Sequence, residues 1–260
     1  MNEFFKIAWP DIISFLFVFV RVGVLFGILP FFSAEIVPRK VTAILAFFMS
    51  LVLMPVVPPA SIGMEDINVL MLVVLIIHEM MIGICLALSI NVILAGIQIA
   101  GQLAGFQMGF AIANVVDPIT GANAPITANL LYMVSFLLFF AFGGHHLLIK
   151  AMVESYYLIP VTDSFPQQGF LFAAISYAAN MFIIAIKVAS PMIGVLLLIN
   201  VSFAIIARSI PQMNIFIMAF PLTISVGLFF IILVIKIMPY IMRNDLQQAW
   251  GFMKSVMALY

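Results

Sequence analysis

Charge is what this chain has least of. It carries ten Lys plus Arg and ten Asp plus Glu among 260 residues, or 8%, with a formal net charge of zero. A soluble globular domain carries about 25% charged residues, so these twenty groups are too few to cover a water-facing surface of this size. Zero net charge also leaves no basic face for nucleic acid and no polybasic tail. There is a single cysteine, Cys85, inside an apolar run. It excludes an intramolecular disulfide, and no Cys/His spacing suits a metal. His78-Glu79 is followed by Met80-Met81-Ile82 rather than by the second histidine of a zinc-protease motif, and the adjacent His145-His146 would make a poor chelate. A phosphate loop, a nucleophile elbow and a paired-aspartate pattern are also missing. No enzyme and no cofactor is expected.

What the chain has is hydrophobic residues, 66% of the total, with a mean hydropathy of +1.30. Lipid or a large assembly must be its solvent. Six segments are apolar enough to be membrane helices: Ile12–Leu29, Val41–Val57, Val69–Ala100, Ile126–Phe142, Phe170–Ile206 and Ile215–Met238. The runs are continuously apolar rather than alternating, which favours helices over barrel strands. The expected fold is an all-α membrane protein of about six long helices in hairpins with a broken central loop. The third and fifth runs exceed what one crossing needs. The first run holds Arg21 and ends at Pro30-Phe31-Phe32 instead of a small-residue cleavage site, so it is expected to stay in the mature protein. If every segment crosses, one side collects Arg39, Lys40 and Arg208, and the other Lys6, Lys150, Lys236, Arg243 and Lys254. These charges are too dispersed to decide orientation.

Between the third and fourth runs, glycines recur at Gly101, Gly105 and Gly109, one smooth stripe on a helix, where another backbone can approach closely. Beyond them Asp117-Pro118, Gly121, Asn123 and Pro125 break regular structure. Irregular backbone is tolerated at membrane depth only inside protein or along an aqueous cavity. If extended, Phe106, Met108, Phe110 and Ile112 would alternate as an apolar fringe that could close a pore by excluding water. Packing against lipid or core is the plainer reading of these four. Arg21, Glu79 and Lys187 lie deep in apolar runs, where a charge costs roughly 2.5–3.5 kcal/mol on insertion scales. Glu79 could pair with Arg21 or with Lys187. A structural pair or subunit contact is preferred to a proton or ion relay. A mild division falls near Pro166, with four segments before it and one long hairpin after.

In order along the chain, several patterns go further. They are Arg21 with Pro30-Phe31-Phe32 and Val37-Pro38-Arg39-Lys40; His78-Glu79-Met-Met-Ile-Gly83; and Gly105-Phe-Gln-Met-Gly-Phe110 with Asp117-Pro118 and Ala124-Pro125. Phe142-Gly-Gly-His-His146, Glu154-Ser155 and Ile159-Pro160 come next, and then Ala207-Arg208-Ser-Ile-Pro211-Gln212-Met-Asn214 with Phe216 and Pro221. This series resembles the FliR family, membrane components of the bacterial flagellar type III export gate, with the SctT proteins of injectisomes as relatives. The stretch from Arg243 onward carries no motif.

The resemblance implies a helical, conical gate in which one R subunit joins P-type and Q-type subunits around a channel, with a B subunit at the cytoplasmic entrance. Residues 1–165 would be P-like and include a plug loop at about 105–125; residues 166–260 would be a Q-like hairpin and tail. The plug would comprise Gly105, Phe106, Gln107, Met108, Gly109, Phe110, Asp117 and Pro118. The entrance turn would comprise Arg208, Pro211, Gln212 and Asn214. Unfolded flagellar subunits would pass through, with energy supplied elsewhere. The implied location is the bacterial inner membrane at the flagellar basal body. An injectisome gate subunit and, from another class, a secondary transporter built on the intramembrane charges are the rival readings.

Overall fold

The computed structural model describes residues 2–32, 37–57, 69–110, 125–160, 169–209 and 215–259, of which 2–10 and 215–217 are described by backbone alone. Among the described residues the chain is helical and has no strand. The α-helices are α1 (Asn2–Ile28), α2 (Arg39–Leu53), α3 (Val69–Gln107), α4 (Ile126–Ala141), α5 (Gly144–Leu158), α6 (Gly169–Ser209) and α7 (Ile215–Ala258). A short 3-10 turn at Pro30–Phe32 follows α1.

Each of the six apolar segments lies on one of these helices. The seventh, α5, lies between the fourth and fifth of those segments. It is amphipathic: Leu148, Ala151, Met152, Ser155 and Tyr156 are buried at the three-to-four spacing of one helix face, while Lys150 and Glu154 stay on the other. Gly143, at φ 71°, separates α5 from α4 in a left-handed conformation that glycine adopts without a Cβ clash. The last helix also outruns its apolar segment by twenty residues, from Met238 to Ala258. Its stripe continues as Met242, Leu246, Ala249, Met253 and Met257, all buried.

Among the described residues, four helices are long and apolar enough to cross a membrane: α1 from Asp11, α3, α6 and α7 from Met218; α4 and α5 together count as a fifth if taken as one broken span. With 39, 41 and 44 residues, α3, α6 and α7 are about 58–66 Å long at 1.5 Å per residue. That is about twice the hydrocarbon thickness of a bilayer. Prolines interrupt α6 at Pro191 and α7 at Pro221 and Pro239. Pro191 removes the donor that would reach the Lys187 carbonyl; the Ser190 hydroxyl donates to that carbonyl instead, at 3.3 Å.

The helices form two compact units that interleave along the chain. One comprises Met1–Asn91, Gly143–Ala178 and Gln247–Tyr260, the other Val92–Phe142 and Ala179–Leu246. In the first, the Tyr177 hydroxyl donates to the Ser89 carbonyl at 2.9 Å, and its ring stacks on Phe252 at 3.9 Å. In the second, Gly96 of α3 meets α6 so closely that an added Cβ would lie 2.9 Å from the Met181 carbonyl oxygen. The division near Pro166 falls outside the described residues. It concerns likeness to P and Q subunits, which is a different matter from compactness.

Candidate functional site

Arg21 of α1 is completely buried, as is Glu79 of α3. The guanidinium grips the carboxylate as a fork, with Nε donating to Oε2 at 2.6 Å and Nη2 to Oε1 at 3.0 Å. Nη1 donates to the Ser155 hydroxyl at 2.8 Å, and Nη2 also reaches the Ile159 carbonyl at 3.3 Å. The Tyr156 ring lies 4.0 Å beneath the guanidinium carbon, a cation–π contact strengthened by the burial of both side chains. Planar, bidentate matching of this kind belongs to arginine rather than lysine. Gly83, one turn beyond Glu79, gives α1 room: a Cβ there would stand 2.8 Å from the Arg21 carbonyl oxygen. Of the two pairings open to Glu79, the structure makes the one with Arg21, and it binds three helices of the first unit together.

The second group of residues ends α3. The Gly109 N–H donates to the Phe106 carbonyl at 3.1 Å and the Phe110 N–H to the Gly105 carbonyl at 3.0 Å. Gly109 has φ 90°. This is a Schellman cap, in which a left-handed glycine lets the last helical carbonyls find donors. Residues 105–107 are therefore helix and 108–110 a turn. The alternating fringe expected of an extended chain is absent up to Phe110, because a helix end sends successive side chains elsewhere. Phe106 is exposed and Phe110 partly so, but Met108 is fully buried. The Met108 side chain fills the space beside Gly227 of α7, and Phe220 crowds Gly109. Around this cap lies a cavity of about 350 Å³ lined by Phe106, Gln107, Asn200, Phe203 and Phe220 among others. Asn200 donates to the Gln107 side-chain oxygen across it, at 3.3 Å. Gly101 and Gly105 face the start of α4. A Cβ on Gly101 would lie 2.5 Å from the Ala128 Cα, and one on Gly105 2.5 Å from the Pro125 Cβ. Thr127 seals this approach by donating to the Gly101 carbonyl at 2.7 Å. Gly109 departs from the stripe, facing α7 instead.

Asp117 and Pro118 of the expected plug, and Pro211, Gln212 and Asn214 of the expected entrance turn, lie outside the described residues. Arg208 is exposed in the last turn of α6, which runs to Ser209.

The sequence matches the model of the family described as "Bacterial export proteins, family 1" over residues 12–249. It is 33% identical to the flagellar biosynthetic protein FliR of Bacillus subtilis (strain 168), over 95% of both chains. The chain belongs to the FliR family. FliR of Escherichia coli (strain K12) is 31% identical over 80% of this chain and 79% of its own. FliR of Pectobacterium carotovorum subsp. carotovorum is 29% identical over 98% and 96%. All the described candidate residues fall within the stretch that matches the family.

Lys187, the third intramembrane charge of this FliR-family chain, is exposed on α6 and is not part of the Arg21 cluster. Asp245 of α7, which sequence reasoning missed, is also buried. The signal was present: Asp245 follows Met242 by three and precedes Ala249 by four, on the buried stripe. Ser155, Tyr156 and Thr127 were likewise missed as partners, because each acts through a contact far along the chain. Among the described residues no cluster of His, Cys, Asp or Glu could hold a metal ion.

Proposed function

We propose that this chain is a core subunit of the flagellar type III protein export gate, forming part of the conduit by which unfolded flagellar subunits cross the inner membrane. The observation that carries this is the likeness to FliR proteins along 95% of the chain, together with several apolar helices longer than a bilayer is thick. In this reading P-type and Q-type subunits cover the many apolar side chains left exposed on α6 and α7, such as Phe172, Ile183, Leu198, Phe229 and Ile232. A B subunit meets the Arg208 end of α6. The chain acts as a conduit and not as an enzyme.

The loop at about 105–125 serves as the plug. Its helical beginning is a fixed hinge post, held by Met108 and Gly109, from which Phe106 and Phe110 are offered to the constriction. Closure at rest would come from apolar side chains that exclude water, and opening from displacement of the chain beyond the cap. The Arg21–Glu79 cluster has a supporting part: a charge pair satisfied by four hydrogen bonds and an aromatic ring suits a structural clamp better than a relay.

The test is co-purification of a tagged copy from native membranes in mild detergent with mass spectrometry. Recovery with P- and Q-type export subunits is expected. Recovery as a lone monomer or homodimer would overturn the proposal.

A further inference from the structure

Away from the cap and the Arg21 cluster, the first unit gathers positive charge around one indole. Trp250 of α7 has the Lys150 ammonium of α5 at 5.2 Å from its ring centroid and the Lys254 ammonium at 5.0 Å. The two cations are thus no more than about 10 Å apart. Lys150 has one acidic neighbour, Glu154 at 3.9 Å; Lys254 makes no ion pair among the described residues. Beside them is a cavity of about 310 Å³ lined by His146, Leu147, Lys150, Gln247 and Trp250. In a chain with only ten Lys and Arg, drawing two ammonium groups to one ring raises mutual repulsion that an anion between them would relieve.

The donors also fit one kind of anion. The Lys150 ammonium, the Gln247 amide and the His146 ring line the cavity and offer hydrogen bonds from two helices, the Lys254 ammonium adds charge beside the Trp250 ring, and Trp250 and Leu147 supply an apolar wall. A phosphate group bearing ester substituents matches that division: its oxygens accept several bonds and its substituents lie on the wall. Tryptophan is enriched at the level of lipid headgroups, lysines snorkel to that level, and basic pockets between membrane helices hold anionic headgroups. We infer that the Lys150–Trp250–Lys254 cluster is a binding site for a phosphate group, contributed by an anionic phospholipid such as phosphatidylglycerol.

The test uses the full chain carrying Trp9→Phe, which leaves Trp250 as its only tryptophan, in detergent micelles. Titration with phosphatidylglycerol should change Trp250 emission saturably, whereas phosphatidylcholine should do so at least about 10-fold more weakly. Lys150→Gln with Lys254→Gln should weaken the phosphatidylglycerol response about 10-fold or more, since each lysine near an anionic surface contributes roughly a fivefold factor. Lys150→Arg with Lys254→Arg should restore it, which separates charge from folding. Inorganic phosphate in place of lipid distinguishes the sources: a saturable response to it, lost in the Gln pair, would keep the phosphate site but assign it to a soluble ligand. Equal responses to the two lipids, or an unchanged response in the folded Gln pair, would overturn the inference.

Discussion

Met108 occupies the room that Gly227 leaves by having no side chain. The end of α3, where the proposed plug begins, is thereby pinned to α7, since any Cβ at residue 227 would collide with the methionine. Gly227→Ala is expected to destabilise the chain by about 1–3 kcal/mol, the usual range for an overfilled core. Adding Met108→Ala should recover part of the loss. Denaturation of the purified chain in detergent checks both, and an unaffected Gly227→Ala variant would rule out the pin.

Gly109 adds a backbone requirement to the same anchor. At φ 90° an L side chain is strained by roughly 1–2 kcal/mol, and Phe220 crowds it as well. Gly109→Ala should lower stability by at least that amount, and Gly101→Ala should also be damaging because its Cβ meets backbone. Gly23→Ala and Gly194→Ala enter open space within this chain and lie in helices. They should be neutral or stabilising by up to about 1 kcal/mol. If all four behave alike in a denaturant series, close packing is not what the first two glycines serve.

The Arg21 clamp makes a sign prediction. Arg21→Ala or Glu79→Ala leaves a buried charge without its partner and should destabilise by about 3–5 kcal/mol. Arg21→Met with Glu79→Leu removes both charges and should be close to neutral. Arg21→Lys should be intermediate, since an ammonium cannot reproduce the fork. Export and motility measured alongside stability separate clamp from relay: a stable double variant that still exports would exclude proton transfer through this pair.

Leakage separates the plug's parts. Deleting Phe106 to Ile112 in an assembled complex should let small ions through. Phe106→Ser or Phe110→Ser should do so in part, whereas Met108→Ala should act first on stability. Ion flux across vesicles carrying the assembled complex decides, and an ion-tight deletion would count against the plug.

Where a segment was apolar all round, as in α3 and α6, its helix could be read from composition alone. Helix α5 could not, because half its surface is polar and its buried face shows only as a spacing of three and four. Arg21 and Glu79 were legible as a problem, two charges in apolar runs, and the answer needed Ser155 on a third helix and Ile159 just beyond its end. At Phe106–Phe110 a local pattern suggested alternation. A glycine cap, recognisable only once the helix is known to end at Gln107, replaced it.

The reach of the Arg21 clamp bears on how the chain is made. Glu79 follows Arg21 by 58 residues, and Ser155 and Ile159 by 134 and 138. At about 5–20 residues per second, the last of these acceptors leaves the ribosome roughly 7–28 s after the arginine. Until Glu79 emerges, the first helix carries a cation that its own segment cannot satisfy, and the two remaining acceptors follow later still. The clamp on the first helix is therefore complete only once α5 and the residue after it have been made.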